Sequence, residues 1–282
     1  SSPSTPTTAE RDEHNVTHLP YRSWRRRCVR GTAKEDARRR AAKSKNEENK
    51  MPTVSIDYCF MNGDGDENTG PAVMVMKESS TGYISSHMVK QKGVGDGWIV
   101  RRLVQDIEAI GIGGMIMKGG QEASINAVIE AVKKERKNHR TITEQPPVGS
   151  SASNGKVERA IQEVEGQLRT MKSALMDRLG TDVSEWGSIM SWMTEAAGQV
   201  LTKFMVGKDG KTAHERVRGS RATRPMAEFG EKVLFKPYKA GATNKLEPRW
   251  VGGIWLTVRE KSGENVIGTA GGIIKARSFK RA

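Results

Sequence analysis

The period of the apolar positions changes along the chain, and each change marks a different kind of structure. Residues 53–61 (TVSIDYCFM) alternate apolar with polar, and residues 72–77 (AVMVMK) and 83–89 (YISSHMV) follow after Gly- and Asp-rich turns. Three β-rich runs at hairpin spacing predict an antiparallel meander. The period then lengthens. Residues 98–110 place Ile99, Leu103, Ile107 and Ile110 on one helical face and stop at Gly111. Residues 114–118 (GMIMK) read as a short buried strand, and 122–136 as a second helix with Ile125, Val128, Ile129 and Val132 inward. A short strand over 141–143 and a loop over 145–155 (QPPVGSSASNG) lead into two long helices, 156–178 and 184–205. From residue 229 short alternating runs return, at 232–237, 253–259, 265–269 and 272–279, a spacing that suits a small β-barrel.

This order predicts an α/β (α+β) chain with a mixed sheet, in four parts. Residues 1–50 form a polar arm with basic clusters at Arg25 to Arg27 and Arg38 to Arg40, and only residues 16–29 look capable of local order. Residues 51–180 form the core, 181–228 a helical connector and 229–282 the barrel-like end.

Composition narrows the class. No apolar run approaches the roughly 18 residues of a membrane span, and residues 1–10 lack the apolar centre of a secretion signal. Cys28 and Cys59 alone cannot build a disulfide framework, which points to a reducing, intracellular setting, nuclear or cytoplasmic. A first residue other than Met reads as a fragment, as of a longer polyprotein. The net charge is +14, unevenly spread: residues 1–50 hold 13 basic and 7 acidic side chains, 51–150 hold 11 and 12, and 151–282 hold 23 and 14. A near-neutral middle between basic flanks suits a polyanion gripped from the sides. With aromatics at 5%, phosphate contact is the expected mode rather than base stacking.

Two acidic residues stand out. Asp57 interrupts a strand that otherwise reads as buried, where a carboxylate is costly without a partner or a metal. Glu158 falls in the first turn of the helix after the loop, where the helix dipole alone also favours an acidic side chain. The phrase Ser153-Asn154-Gly155-Lys156-Val157-Glu158-Arg159-Ala160 resembles the Asn-Gly-x-x-Glu signature of the integrases of retroviruses and long-terminal-repeat retrotransposons, whose core is similar to ribonuclease H. Residues 51–179 follow that family's element order. The resemblance implies a DNA-binding polynucleotidyl transferase acting as a homo-oligomer. It would use Mg²⁺ or Mn²⁺ on an Asp, Asp, Glu set to trim DNA 3′ ends and join them to target DNA, with Asp57 first and Glu158 last.

The middle carboxylate is missing. Where the family has an aspartate after the fourth strand, this chain reads Lys118-Gly119-Gly120-Gln121-Glu122, with Gly120 at the catalytic place. Glu122 belongs to the following helix, and Asp64 and Asp66 sit in a Gly/Asn turn where acidic residues are ordinary. The resemblance therefore implies an integrase, with Gly120 putting the activity of this copy in question; the alternatives are a catalytically dead DNA-binding remnant and a ribonuclease H cutting RNA in hybrids.

His14-x3-His18 followed by Cys28 resembles the His-His-Cys-Cys zinc knuckle ahead of integrase cores, with Arg25 where the other cysteine of the pair belongs. Cys59, His87, His139 and His214 read as structural or solvated, and Trp186, Trp192, Trp250 and Trp255 as packing residues.

Overall fold

The structure, a computed structural model, describes residues 6–32, 51–61, 71–95, 97–144, 155–184, 187–222, 227–238, 246, 248–260 and 262–282. The Arg38 to Arg40 cluster, Asp64, Asp66, Trp186 and most of the loop before Glu158, with Ser153 and Asn154, lie outside the described residues.

Alternation builds the first sheet. Strands β1 (Thr53–Phe60), β2 (Ala72–Glu78) and β3 (Ile84–Val89) pair antiparallel, and β4 (Met115–Gly119) and β5 (Thr141–Glu144) join parallel, in the order β3-β2-β1-β4-β5. Each parallel step needs a crossover, supplied by α3 (Trp98–Ile110) and α4 (Ala123–Glu135). Side chains of β1 therefore divide between two faces. Val54, Ile56 and Tyr58 join Leu103, Ile107, Val128 and Val132 beneath α3 and α4. Cys59, with Val73 and Val75 of β2, packs against α5 (Gly155–Leu179) and α6 (Ser188–Phe204). Burying both sheet faces gives three layers, and alternation puts Asp57 on the α5 side with Cys59. Burial holds the Cys59 thiol up to about 12, which suits packing rather than reactivity.

A second, antiparallel sheet, β10-β6-β7-β8-β9, is formed by β6 (Lys232–Phe235), β7 (Val251–Val258), β8 (Asn265–Thr269), β9 (Gly272–Ala276) and β10 (Phe279–Arg281). Val233, Phe235, Trp255, Ile267 and Phe279 fill it, whereas Leu256 and Val266 join the α5–α6 core, so the sheet is seated on those helices.

Two stretches hold helices that periodicity did not announce. In the arm, α1 (Thr8–Thr17) and α2 (Arg26–Thr32) form, with a capping box at the start of α1: the Thr7 N–H donates to Glu10 Oε2 and the Glu10 N–H to Thr7 Oγ1. Order thus begins well before residue 16. A second box, Thr212 with Glu215, opens α7 (Ala213–Arg218) in the connector. The arm lies on α5: Gln167 Nε2 donates to the Thr17 carbonyl at 2.9 Å and Arg169 Nε to the Gly31 carbonyl at 3.2 Å. A Cβ at Gly31 would meet Thr170 Oγ1 at 2.1 Å, so glycine is what lets α2 cross α5 this closely.

His87 is structural. Its Nε2 is 2.6 Å from Asp106 Oδ2 of α3, both buried. Burial pushes the Asp106 carboxyl up, but His87, with help from Arg102, outweighs it and leaves the group below its ordinary pKa. A carboxyl depressed on folding contributes stability above its unfolded pKa of about 3.9 and loses it as pH falls through the folded value. Asp106→Asn is therefore expected to melt below the wild type at pH 7, with the gap closing below about pH 4. A constant gap in thermal melts across that range would refute the linkage. Among the described residues no helix is long and apolar enough to cross a membrane.

Candidate functional site

The corner at Asp57 follows from strand register. In the parallel β1–β4 pair Ile56 lies opposite Gly119, so the next residues, Asp57 and Gly120, emerge together at the carboxyl end of β4. A Cβ at Gly120 would stand 3.5 Å from Asp57 Oδ1 and 3.8 Å from Oδ2, and its other near neighbour, Ile125 Cδ1, would be at an ordinary 3.4 Å. Gly120 is not among the left-handed glycines, so neither backbone nor space demands glycine there. An acidic side chain at position 120 would point at Asp57.

Asp57 is half-buried, and burial pushes its carboxyl above the ordinary pKa. The Tyr58 N–H donates to Oδ1 at 2.9 Å and opposes the rise; the charges of Glu122 and Glu158 add to it; Lys92 lowers it. Glu158, exposed in the first turn of α5, is thus placed where its charge is felt at Asp57. The donors are carboxylate oxygens in a negative corner. Carboxylate oxygens are the donor type of a hard divalent cation that retains several waters, and with no side chain at position 120 the corner has fewer of them than a two-metal site would use.

Two neighbours escaped sequence reasoning. Lys92, in the loop after β3, lies 4.7 Å from the centre of the Phe60 ring and donates to Glu122 Oε1 at 2.8 Å. Ser124 Oγ donates to the same oxygen, also at 2.8 Å. Glu122 is the N-cap of α4 rather than part of its body. Its carboxyl, pushed up by burial, is brought below its ordinary pKa by Lys92 and Ser124. Glu122 thus contributes charge near Asp57 while its oxygen is engaged elsewhere. No sequence signal marks Lys92 beyond a lysine beside a glycine-rich loop.

In the arm, His14 and His18 sit one helical turn apart, and His18 closes α1 in a left-handed conformation, φ 57°. One ligand atom from each of His14, His18 and Cys28 falls within 4.8 Å of the others, and all three residues are buried. His14 Nε2 is 3.0 Å from Cys28 Sγ. Desolvation first, and then the neighbouring His18, Arg22 and Arg25, holds His14 at about 4, so its imidazole is neutral and able to ligate at neutral pH. Burial raises the Cys28 thiol, against the Arg22 backbone N–H and Arg25. Two imidazoles and a thiol suit zinc, but the Cys-x2-Cys partner is absent on either side of Cys28: position 25 is arginine, and Gly31 has no room for a side chain.

The second sheet carries exposed cations. Lys232 and Lys236 alternate with buried Val233 and Phe235, and Lys275, Arg277 and Lys280 are exposed on or beside β9 and β10. Trp255 is buried in this sheet, Trp192 packs against the α5–α6 core, and His139 is exposed. A cavity of about 780 Å³ between α6, α7 and the second sheet is lined by His214, Arg218, Arg259 and Glu260; Asp57, Gly120 and Glu158 do not line it.

No protein-family model and no curated protein matches the chain. Among solved structures it is similar to a chain of the simian T-cell lymphotropic virus intasome in complex with PP2A regulatory subunit B56 gamma, with 15% identity and a TM-score of 0.44 over 82% of this chain and 78% of that one. It is also similar to the catalytic core domain of BIV integrase, with 14% identity and a TM-score of 0.41 over 58% of this chain and 92% of that one. At these values neither neighbour assigns a role to any residue here.

Proposed function

We propose that the chain is an integrase-type protein of a retrotransposon that binds DNA and has lost strand transfer through the loss of one carboxylate. The observation that carries this reading is the corner at Gly120: the strand register aims position 120 at Asp57, space for a side chain is present, and the residue there has none. Asp57 and Glu158 would hold one Mg²⁺ or Mn²⁺, which supplies charge stabilisation to a phosphoryl oxygen when bound. With no carboxylate at position 120, Asp57 and Glu158 would supply fewer donors than two-metal phosphoryl transfer would use. Residues 1–50 act as the zinc-knuckle arm, 51–180 as the core, 181–228 as the connector and 229–282 as the DNA-binding module, in a homo-oligomer. The catalytically dead remnant is thus preferred over an active enzyme.

The proposal is tested with duplex DNA and Mg²⁺: the wild type is expected to retain DNA and to yield at most about one hundredth of the joined product that Gly120→Asp yields. DNA retention has its own check. Phosphate contacts make log K fall linearly with log salt, by about one per neutralised contact. The triple variant Lys275→Gln, Arg277→Gln, Lys280→Gln should flatten that slope by about 2 to 3. An unchanged slope would remove the second sheet from the DNA interface.

A further inference from the structure

The arm's metal cluster has a carboxylate behind it, contributed from near the other end of the chain. Both ring nitrogens of His18, a residue only 4% exposed, are buried without a hydrogen-bond partner, and so is Oε1 of Glu228. His18 Nε2 and Glu228 Oε1 face one another at 3.6 Å, just outside hydrogen-bond range. A buried polar atom left without a partner is costly, so three in one place call for an explanation. A single arrangement satisfies all of them: a metal on Nδ1 of His18, and the Nε2–H donated to Glu228 after a shift of a few tenths of an ångström.

We infer that Glu228 is the positioning residue of the zinc cluster, fixing the tautomer and ring orientation of His18 through its Nε2–H; this rests on the reading of His14, His18 and Cys28 as a zinc site. Glu228 is built for that part. Its Oε2 accepts from Arg178 Nη2 of α5 at 2.5 Å, which turns Oε1 toward His18, and Arg27 Nη1 stands 3.9 Å from the same Oε1. Its own backbone N–H donates to Glu231 Oε2 at 2.8 Å, anchoring the segment. The carboxylate lies outside the group of three ligand atoms, so it backs the cluster and is not its fourth member. A ligating histidine whose other N–H meets a carboxylate is a stronger and better oriented ligand. In a cluster that lacks a fourth protein ligand, that support matters more than in a complete one. The left-handed backbone of His18 is that of a helix C-cap, its N–H donating to the His14 carbonyl, and it fixes where the ring leaves α1.

The arrangement also ties the metal to the rest of the fold. Arg178 Nη1 donates to the Phe229 carbonyl at 2.9 Å, and Phe229 is part of the α5–α6 core. Loading of the arm is thereby linked through Glu228 to α5 and to the root of the second sheet. The cavity between α6, α7 and the second sheet is lined by both His18 and Glu228.

The test uses the full chain and zinc, with affinity read by competition against a chromophoric chelator. Glu228→Ala should weaken zinc about 10- to 100-fold, the range found for partners of ligating histidines. Glu228→Gln, whose amide oxygen still accepts the Nε2–H, should recover most of that loss. Because substitution can disturb folding, a second measurement uses the wild type alone: ¹⁵N NMR of the zinc-loaded chain should show His18 metal-bound at Nδ1 and protonated at Nε2. Metal on Nε2, or affinity in Glu228→Ala within twofold of wild type, overturns the role of Glu228. A wild-type chain that takes up no zinc overturns the cluster itself, a distinct result.

Discussion

Gly120→Asp is expected to give a chain that joins DNA ends in Mg²⁺ at least about 100-fold faster than the wild type. Restoring one carboxylate allows a second metal to sit beside the first, which is worth several kcal/mol of transition-state charge stabilisation. At 1.36 kcal/mol for each tenfold, 3 to 4 kcal/mol corresponds to about 10²- to 10³-fold. The local structure favours the substitution, since the new Cβ meets nothing closer than 3.4 Å. Its carboxylate would lie beside that of Asp57, already raised by burial and by Glu122 and Glu158. Without metal the added like charge should lower the melting temperature; with Mg²⁺ or Mn²⁺ the variant should gain more than the wild type does. That second readout separates metal uptake from catalysis. In the Gly120→Asp background, Asp57→Asn or Glu158→Gln should return joining to the wild-type baseline. A folded, DNA-binding, metal-stabilised Gly120→Asp chain that joins nothing would mean that more than one part of the site has been lost.

Only part of the corner was legible in the residues themselves. Alternation along TVSIDYCFM assigns Asp57 to the face of Cys59, whereas position 120 stood out only through the resemblance to the integrase signature, and the parallel pairing of β4 with β1 that joins the two is a property of the fold. Lys92 was not legible, since its position over Phe60 and against Glu122 depends on how a glycine-rich loop folds back. Helices α1 and α7 were missed for another reason: each begins at a Thr/Glu capping box and is too polar for its apolar period to show. Glu228 is the extreme case. A glutamate in the connector carries no local signal, and only the packing of the arm on α5 brings His18 to it.

Zinc should slow amide exchange in α1 and α2 by about 10³-fold when free metal is 1,000 times its Kd, and Cys28→Ser should abolish the effect. The magnitude is the linkage of binding to local opening, about 4 kcal/mol at that saturation. Serine matches cysteine in shape but cannot supply the thiolate, so the variant removes a ligand without opening a cavity. The gain should be largest in the arm, with a smaller part carried through Glu228 and Arg178 to α5, while the sheets keep their own cores. The arm differs here from a free zinc finger, which is unfolded without metal. Its helices are already held on α5 by Gln167 and Arg169 and by the close crossing at Gly31. Apo chain should therefore keep its helical content, and zinc should change the exchange rates of α1 and α2 rather than their existence. Collapse of helicity on chelation would show that the packing on α5 is too weak to hold the arm alone. Equal protection of wild type and Cys28→Ser at saturating zinc would show that Cys28 is no ligand, leaving two buried histidines and a thiol as packing.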